Sequence, residues 1–88
     1  DPLVGDAQAL ARFIRAARTQ SGMTLEEAAL VTGIAKSTMQ KLENDPTTVG
    51  LTLVLEVARQ LGVSVFAVPA EQREIVRRLI TRLPNNPS

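Results

Sequence analysis

The segment Met23–Asp45, MTLEEAALVTGIAKSTMQKLEND, decides how this chain folds. Thr24 followed three residues later by Glu27 is a capping box, and it marks a helix start. Leu25, Ala28 and Ala29 recur at helical spacing, so that helix has one small, apolar face. Gly33 stops it, because glycine enters the left-handed backbone region at little cost. A second helix is predicted from about Lys36 to Asn44. Met39 and Leu42 give it an inward side. Lys36, Ser37, Gln40 and Lys41 give it an outward one.

Upstream, Asp6 is an N-cap for a helix from Ala7 to about Gln20. Its buried stripe is Leu10, Phe13 or Ile14, and Ala17, and Ser21-Gly22 ends it. Downstream, Asp45-Pro46 forces a turn, since the residue before proline is pushed out of the helical region. Thr47 and Thr48 follow in the loop to Gly50. A fourth helix is expected from Leu51 to Leu61, with Leu51, Val54, Ala58 and Leu61 on one face and Gly62 as its stop. The run Val63-Ser-Val-Phe-Ala-Val68 is β-branched and favours a strand. Such a strand needs an edge to pair with, which a second copy of the chain would supply. The competing reading is a short helical turn capped by Ser64. Pro69 opens the last unit, a helix from Glu71 to about Leu83. Acids lie in its first turn and arginines toward its end, as the helix dipole favours. Ile75, Val76, Leu79, Ile80 and Leu83 make an apolar stripe that packs back on the domain or on a second copy. Residues 1–5 read as a lead-in and 84–88 as a frayed tail.

Eighty-eight residues make one domain, and 44% apolar content makes a small core. A core of that size gives modest stability, so dimerisation is expected. Cysteine and histidine are both absent, which excludes disulfides and thiolate zinc sites. No apolar run reaches the ~18 residues of a membrane span, and no basic-then-apolar leader opens the chain. A cytoplasmic protein without cofactor or metal is the expectation. The net charge of +1 is weak support for a nucleic-acid partner. Its distribution says more. Lys36 and Lys41 sit on the second helix of the central pair, Arg12, Arg15 and Arg18 line the first helix, and Arg73, Arg77, Arg78 and Arg82 cluster in the last.

Two short helices meeting through a glycine turn describe a helix-turn-helix, whose second helix can lie in the major groove of DNA. TLEEAALVTGIAKSTMQKLEND resembles the phage-repressor-type (Xre) helix-turn-helix through Ala29, Gly33, Ile34, Met39, Leu42 and Glu43. LTLVLEVARQLGVSV resembles the fourth helix of that family and its Leu-Gly-Val ending. The likeness covers roughly residues 7–68, and NDPTTVGLTLVLEVARQLGVSVFAV looks closest to the HipB-like antitoxin branch, where a short strand pairs across the dimer. The resemblance implies an all-α, five-helix repressor-type fold, with the helix-turn-helix DNA-binding domain at 6–68. The helix at 69–83 then packs on the core or on a dimer partner. Three departures stand out. Ala35 occupies the position of a Ser or Thr cap, leaving Ser37 as the alternative. Leu25 replaces a frequent polar phosphate contact. Leu30 and Val31 are apolar where the family normally faces solvent, so they would cover another element or a partner.

Carried over from the family, Lys36, Ser37, Gln40 and Lys41 are the candidate base readers. Lysine donates to guanine O6 or N7, glutamine pairs with adenine, and serine serves either. Taken alone, the four are ordinary polar residues on a solvated face. Thr24, Thr38, Thr47 and Thr48 are candidate phosphate contacts, which set register but carry little sequence information. For Thr24 the plain alternative is capping, and for Thr47 and Thr48 it is an ordinary loop. Val63, Val65, Phe66, Val68, Ile75 and Leu79 are the candidate dimer interface. Glu43 is read as an ion-pair partner for Arg12 or Arg15. Glu74 is read as the i,i+4 partner of Arg78. An enzyme has little to work with here: no histidine base, no thiol and no phosphate loop. The expected function is a transcriptional repressor binding an inverted-repeat operator as a homodimer. The alternative is an antitoxin that neutralises a toxin, or another regulatory protein, and represses its own operon.

Overall fold

The computed structural model describes residues 3–83, and the tail expected at 84–88 lies outside them. Five α-helices follow in order: α1 (Ala7–Gln20), α2 (Leu25–Thr32), α3 (Lys36–Asn44), α4 (Leu51–Gln60) and α5 (Arg73–Thr81). Two 3-10 turns, Pro46–Thr48 and Ala70–Gln72, precede α4 and α5. No strand forms among the described residues, so the fold is all-α.

Local chemistry sets the helix ends. The Asp6 carboxylate accepts from the Ala9 N–H at 2.8 Å and starts α1. In the capping box of α2, Glu27 N–H donates to Thr24 Oγ1 at 3.1 Å and Thr24 N–H donates to Glu27 Oε1 at 2.9 Å. The Thr24 backbone N–H, helped by the Thr24 side chain, holds the Glu27 carboxyl below its ordinary range, because it favours the charged form. Gly33 closes α2 at φ 75° and ψ 23°, with Ile34 N–H reaching back to the Ala29 carbonyl at 3.1 Å. That left-handed turn swings the chain directly from α2 into α3.

Leu10, Ile14, Ala28, Ala29, Met39, Leu42, Val54, Val57 and Ala58 form one buried cluster. α3 packs against both α1 and α2. Ala28 and Ala29 have no bulk beyond Cβ, which lets α2 and α3 approach closely. At the choice between Phe13 and Ile14, Ile14 is the buried residue and Phe13 is half-buried, as is Ala17. On α4 the inward face is Val54, Val57 and Ala58. Leu51, expected there, is exposed at the first position of the helix.

Three expectations in the C-terminal third need correction. Residues 63–69 are neither helix nor strand: a single chain offers 63–68 no free edge, and Ser64 starts no turn. The last α-helix is shorter than Glu71 to Leu83, because 3-10 hydrogen bonds, Gln72 N–H to Pro69 O and Leu83 N–H to Ile80 O, tighten both ends. Along its apolar stripe Val76 and Ile80 are half-buried, while Ile75, Leu79 and Leu83 are exposed. Glu74 pairs with Arg77, one turn on at i,i+3, rather than with Arg78.

Candidate nucleic-acid interface

α3 has two faces with separate tasks. Met39 and Leu42 are fully buried and anchor it. Glu43 adds a third anchor through Arg18, not through the expected Arg12 or Arg15, both of which are exposed. Arg18 Nε donates to Glu43 Oε2 at 2.6 Å and Nη2 donates to Oε1 at 3.0 Å, a two-pronged pair. Arg18 Nη1 also donates to the Met23 carbonyl at 3.0 Å. The side chains of Arg18 and Glu43 are only 12% and 4% exposed. This latch ties α1, the turn before α2, and the last turn of α3 into one unit.

The other face is polar and open. Lys36, Ser37, Gln40 and Lys41 are all exposed, and their spacing sets them along one stripe. Asn44 extends the stripe by a further turn and is also exposed. Sequence reasoning passed over Asn44, although its place four residues after Gln40 was visible. α3 begins at Lys36, with Ala35 in extended backbone and no side chain closing the start. Ser37 therefore lies inside the helix and caps nothing. Lys36 Nζ pairs with Glu26 Oε1, in the first turn of α2, at 2.7 Å.

The four threonines divide. Thr24 is occupied by the capping box. Thr38 is half-buried, on the boundary between the two faces of α3. Thr47 Oγ1 donates to Asp45 Oδ1 at 2.6 Å and Thr48 Oγ1 donates to the Asp45 carbonyl at 3.0 Å, so both hydroxyls hold the turn after α3. Of the apolar residues proposed for self-association, Val63, Val65, Phe66 and Val68 line one groove together with Phe13 and Arg73. Ile75 and Leu79 lie outside that wall. Leu30 and Val31 are 82% and 57% exposed on α2. Among the described residues, no group of three or more acids could hold a metal ion, and no helix is long and apolar enough to cross a membrane.

A family model described as helix-turn-helix matches residues 14–67, from the middle of α1 through α4 and beyond. The chain belongs to the phage-repressor-type (Xre) helix-turn-helix family. Domains of this family bind DNA, and α2 and α3 are the helix-turn-helix of this one. The matched stretch ends before α5. A helix-turn-helix-type transcriptional regulator from Haemophilus influenzae is 35% identical over 65 residues. The alignment covers 74% of this chain and 64% of that relative's length. No solved structure matches the chain.

Proposed function

We propose that this helix-turn-helix protein is a transcriptional repressor that binds an inverted-repeat operator as a homodimer. The observation that carries the reading is the division of α3: its inner face is locked into the core, and its outer face presents a stripe of exposed polar side chains. Laid in the major groove, Lys36 and Lys41 meet guanine O6 and N7. Gln40 meets adenine, and Ser37 takes either base. Asn44 joins them at the far end of the stripe, as a second adenine reader. Thr24 and Thr38 face the phosphates, and Thr47 and Thr48 present the turn that follows. The resemblance to a helix-turn-helix-type transcriptional regulator supports the regulatory role.

Self-association uses the apolar groove of Val63, Val65, Phe66 and Val68, with Ile75 and Leu79 of α5 as a second patch. Leu51 and Leu55, exposed on α4, support an interface of this kind, because large apolar side chains in water favour a partner. Two copies would place the α3 helices about 34–36 Å apart, one turn of DNA, or at a multiple of that spacing.

One observation favours a second reading. Leu30 and Val31 form an apolar patch on α2, apart from the groove. An antitoxin that buries this patch against a toxin would use it, with operon control as a secondary task. Selection of bound sequences from a random duplex pool, using the purified protein alone, separates the two. Enrichment of an inverted repeat, weakened by Gln40→Ala and Lys41→Ala, supports the repressor. A folded sample that enriches nothing overturns it as a self-sufficient DNA binder.

A further inference from the structure

Lys36 is the first residue of α3, where a base reader would enter the groove, yet its ammonium is already engaged. Glu26 Oε1 lies 2.7 Å from it. The neighbouring Glu27 is committed to the capping box, whereas Glu26 takes no part in the cap. The two side chains of the pair are 55% and 68% exposed, so water competes with the contact and it breaks cheaply. Lys36 favours the charged form of Glu26 and holds its carboxyl below the ordinary range, so the negative charge is present throughout the neutral range.

From this geometry we infer that Glu26 is a specificity-setting residue acting through Lys36, a rival acceptor that DNA must displace. The inference rests on the reading of Lys36 as a base contact. A lysine ammonium has three donors and no fixed direction, so a free one would bind any phosphate it could reach. Phosphates are present on every duplex, at one charge per ~1.7 Å of helix axis. A carboxylate held against the ammonium removes that indiscriminate contact. A guanine edge offers two acceptors side by side in the groove, O6 and N7, and can outbid a single exposed carboxylate oxygen. A wrong base offers no such pair of acceptors, and a phosphate, although the stronger acceptor, reaches Lys36 only by bringing its charge up against the Glu26 carboxylate. Lys36 would then leave Glu26 chiefly at the right site, and the pair would widen the gap between operator and random DNA.

The test is a double-mutant cycle on DNA affinity with the full chain. The wild type, Glu26→Gln, Lys36→Ala and the double variant are titrated with the selected operator and with a random duplex across a salt series. Glu26→Gln is expected to bind random duplex about fivefold more tightly and the operator about twofold more tightly, so discrimination falls. Its salt slope on random duplex should steepen by about one, as Lys36 becomes a phosphate contact. In the Lys36→Ala background, Glu26→Gln should change little. Unchanged affinity for random duplex in Glu26→Gln overturns the inference. So does equal tightening with or without Lys36, which would mark Glu26 as general repulsion. If Lys36→Ala alone alters neither affinity, the base-reading role of Lys36 fails first and takes this inference with it. Circular dichroism of each variant confirms the fold, since neither residue is buried.

Discussion

Arg18 makes three hydrogen bonds to two separated parts of the chain, and Glu43 has almost no exposure to water. Removing one partner of such a pair leaves the other charge stranded. Glu43→Ala should therefore cost about 3 kcal/mol in urea unfolding. Replacing both, as Arg18→Met with Glu43→Leu, should recover most of that loss, because well-packed apolar side chains need no desolvation. If the double variant is as unstable as the single, the latch contributes by geometry rather than by charge. The sequence pointed to an arginine of α1 as the partner and to the wrong one. At about 100° per residue, Arg18 sits only about 40° from buried Ile14, whereas Arg15 is about 100° and Arg12 about 160° away. The angle was legible; family likeness alone did not supply it. By the same angular count Asn44 lies on the stripe with Gln40, four residues earlier.

Elements with a strong local signal are legible in the sequence, whereas the packing of those that depend on a neighbour is not. The capping box, the Gly33 stop and the Pro46 break each act within a few residues, so α1, α2 and α3 were legible nearly to their ends. The small face of α2 is a packing requirement. Ala28→Leu should overpack the contact between α2 and α3 and lower stability by about 1–3 kcal/mol, measured by thermal unfolding. Segment 63–68 and α5 leave Val65, Phe66, Ile75, Leu79 and Leu83 exposed, and the apolar pattern alone does not say what covers them. If the groove is the interface, Val65→Glu should weaken self-association in sedimentation while the monomer keeps its helix content. Leu79→Glu tests the second patch separately. A wild-type mass retained by both variants would remove this end of the chain from the interface.

Over the whole molecule, acids and bases nearly cancel, and no histidine or cysteine is present. No side chain of ordinary pKa therefore titrates between about pH 5 and 8, and stability should be flat there. Below that range, folded carboxyls dominate. Glu26 and Glu27 are held below 4.5, by Lys36 and by the Thr24 backbone respectively, and Arg59 with Gln60 takes Glu56 down to about 2. Groups depressed in the folded state stabilise it above their unfolded values, and that contribution is lost as pH falls through the folded ones. Thermal midpoints should hold to about pH 5 and then decline between about 4.5 and 2. A decline starting near pH 6.5 would contradict this assignment.

Apart from Thr38 on their boundary, the two faces of α3 use separate residues: Met39, Leu42 and Glu43 hold the helix down, while Ser37, Gln40, Lys41 and Asn44 stand clear of the core. Drift on one side is therefore not felt on the other. A lineage carrying this domain can rewrite the outward residues one at a time, without passing through an unfolded ancestor. Diversity among its descendants should accumulate on that outward stripe, over an architecture that stays put.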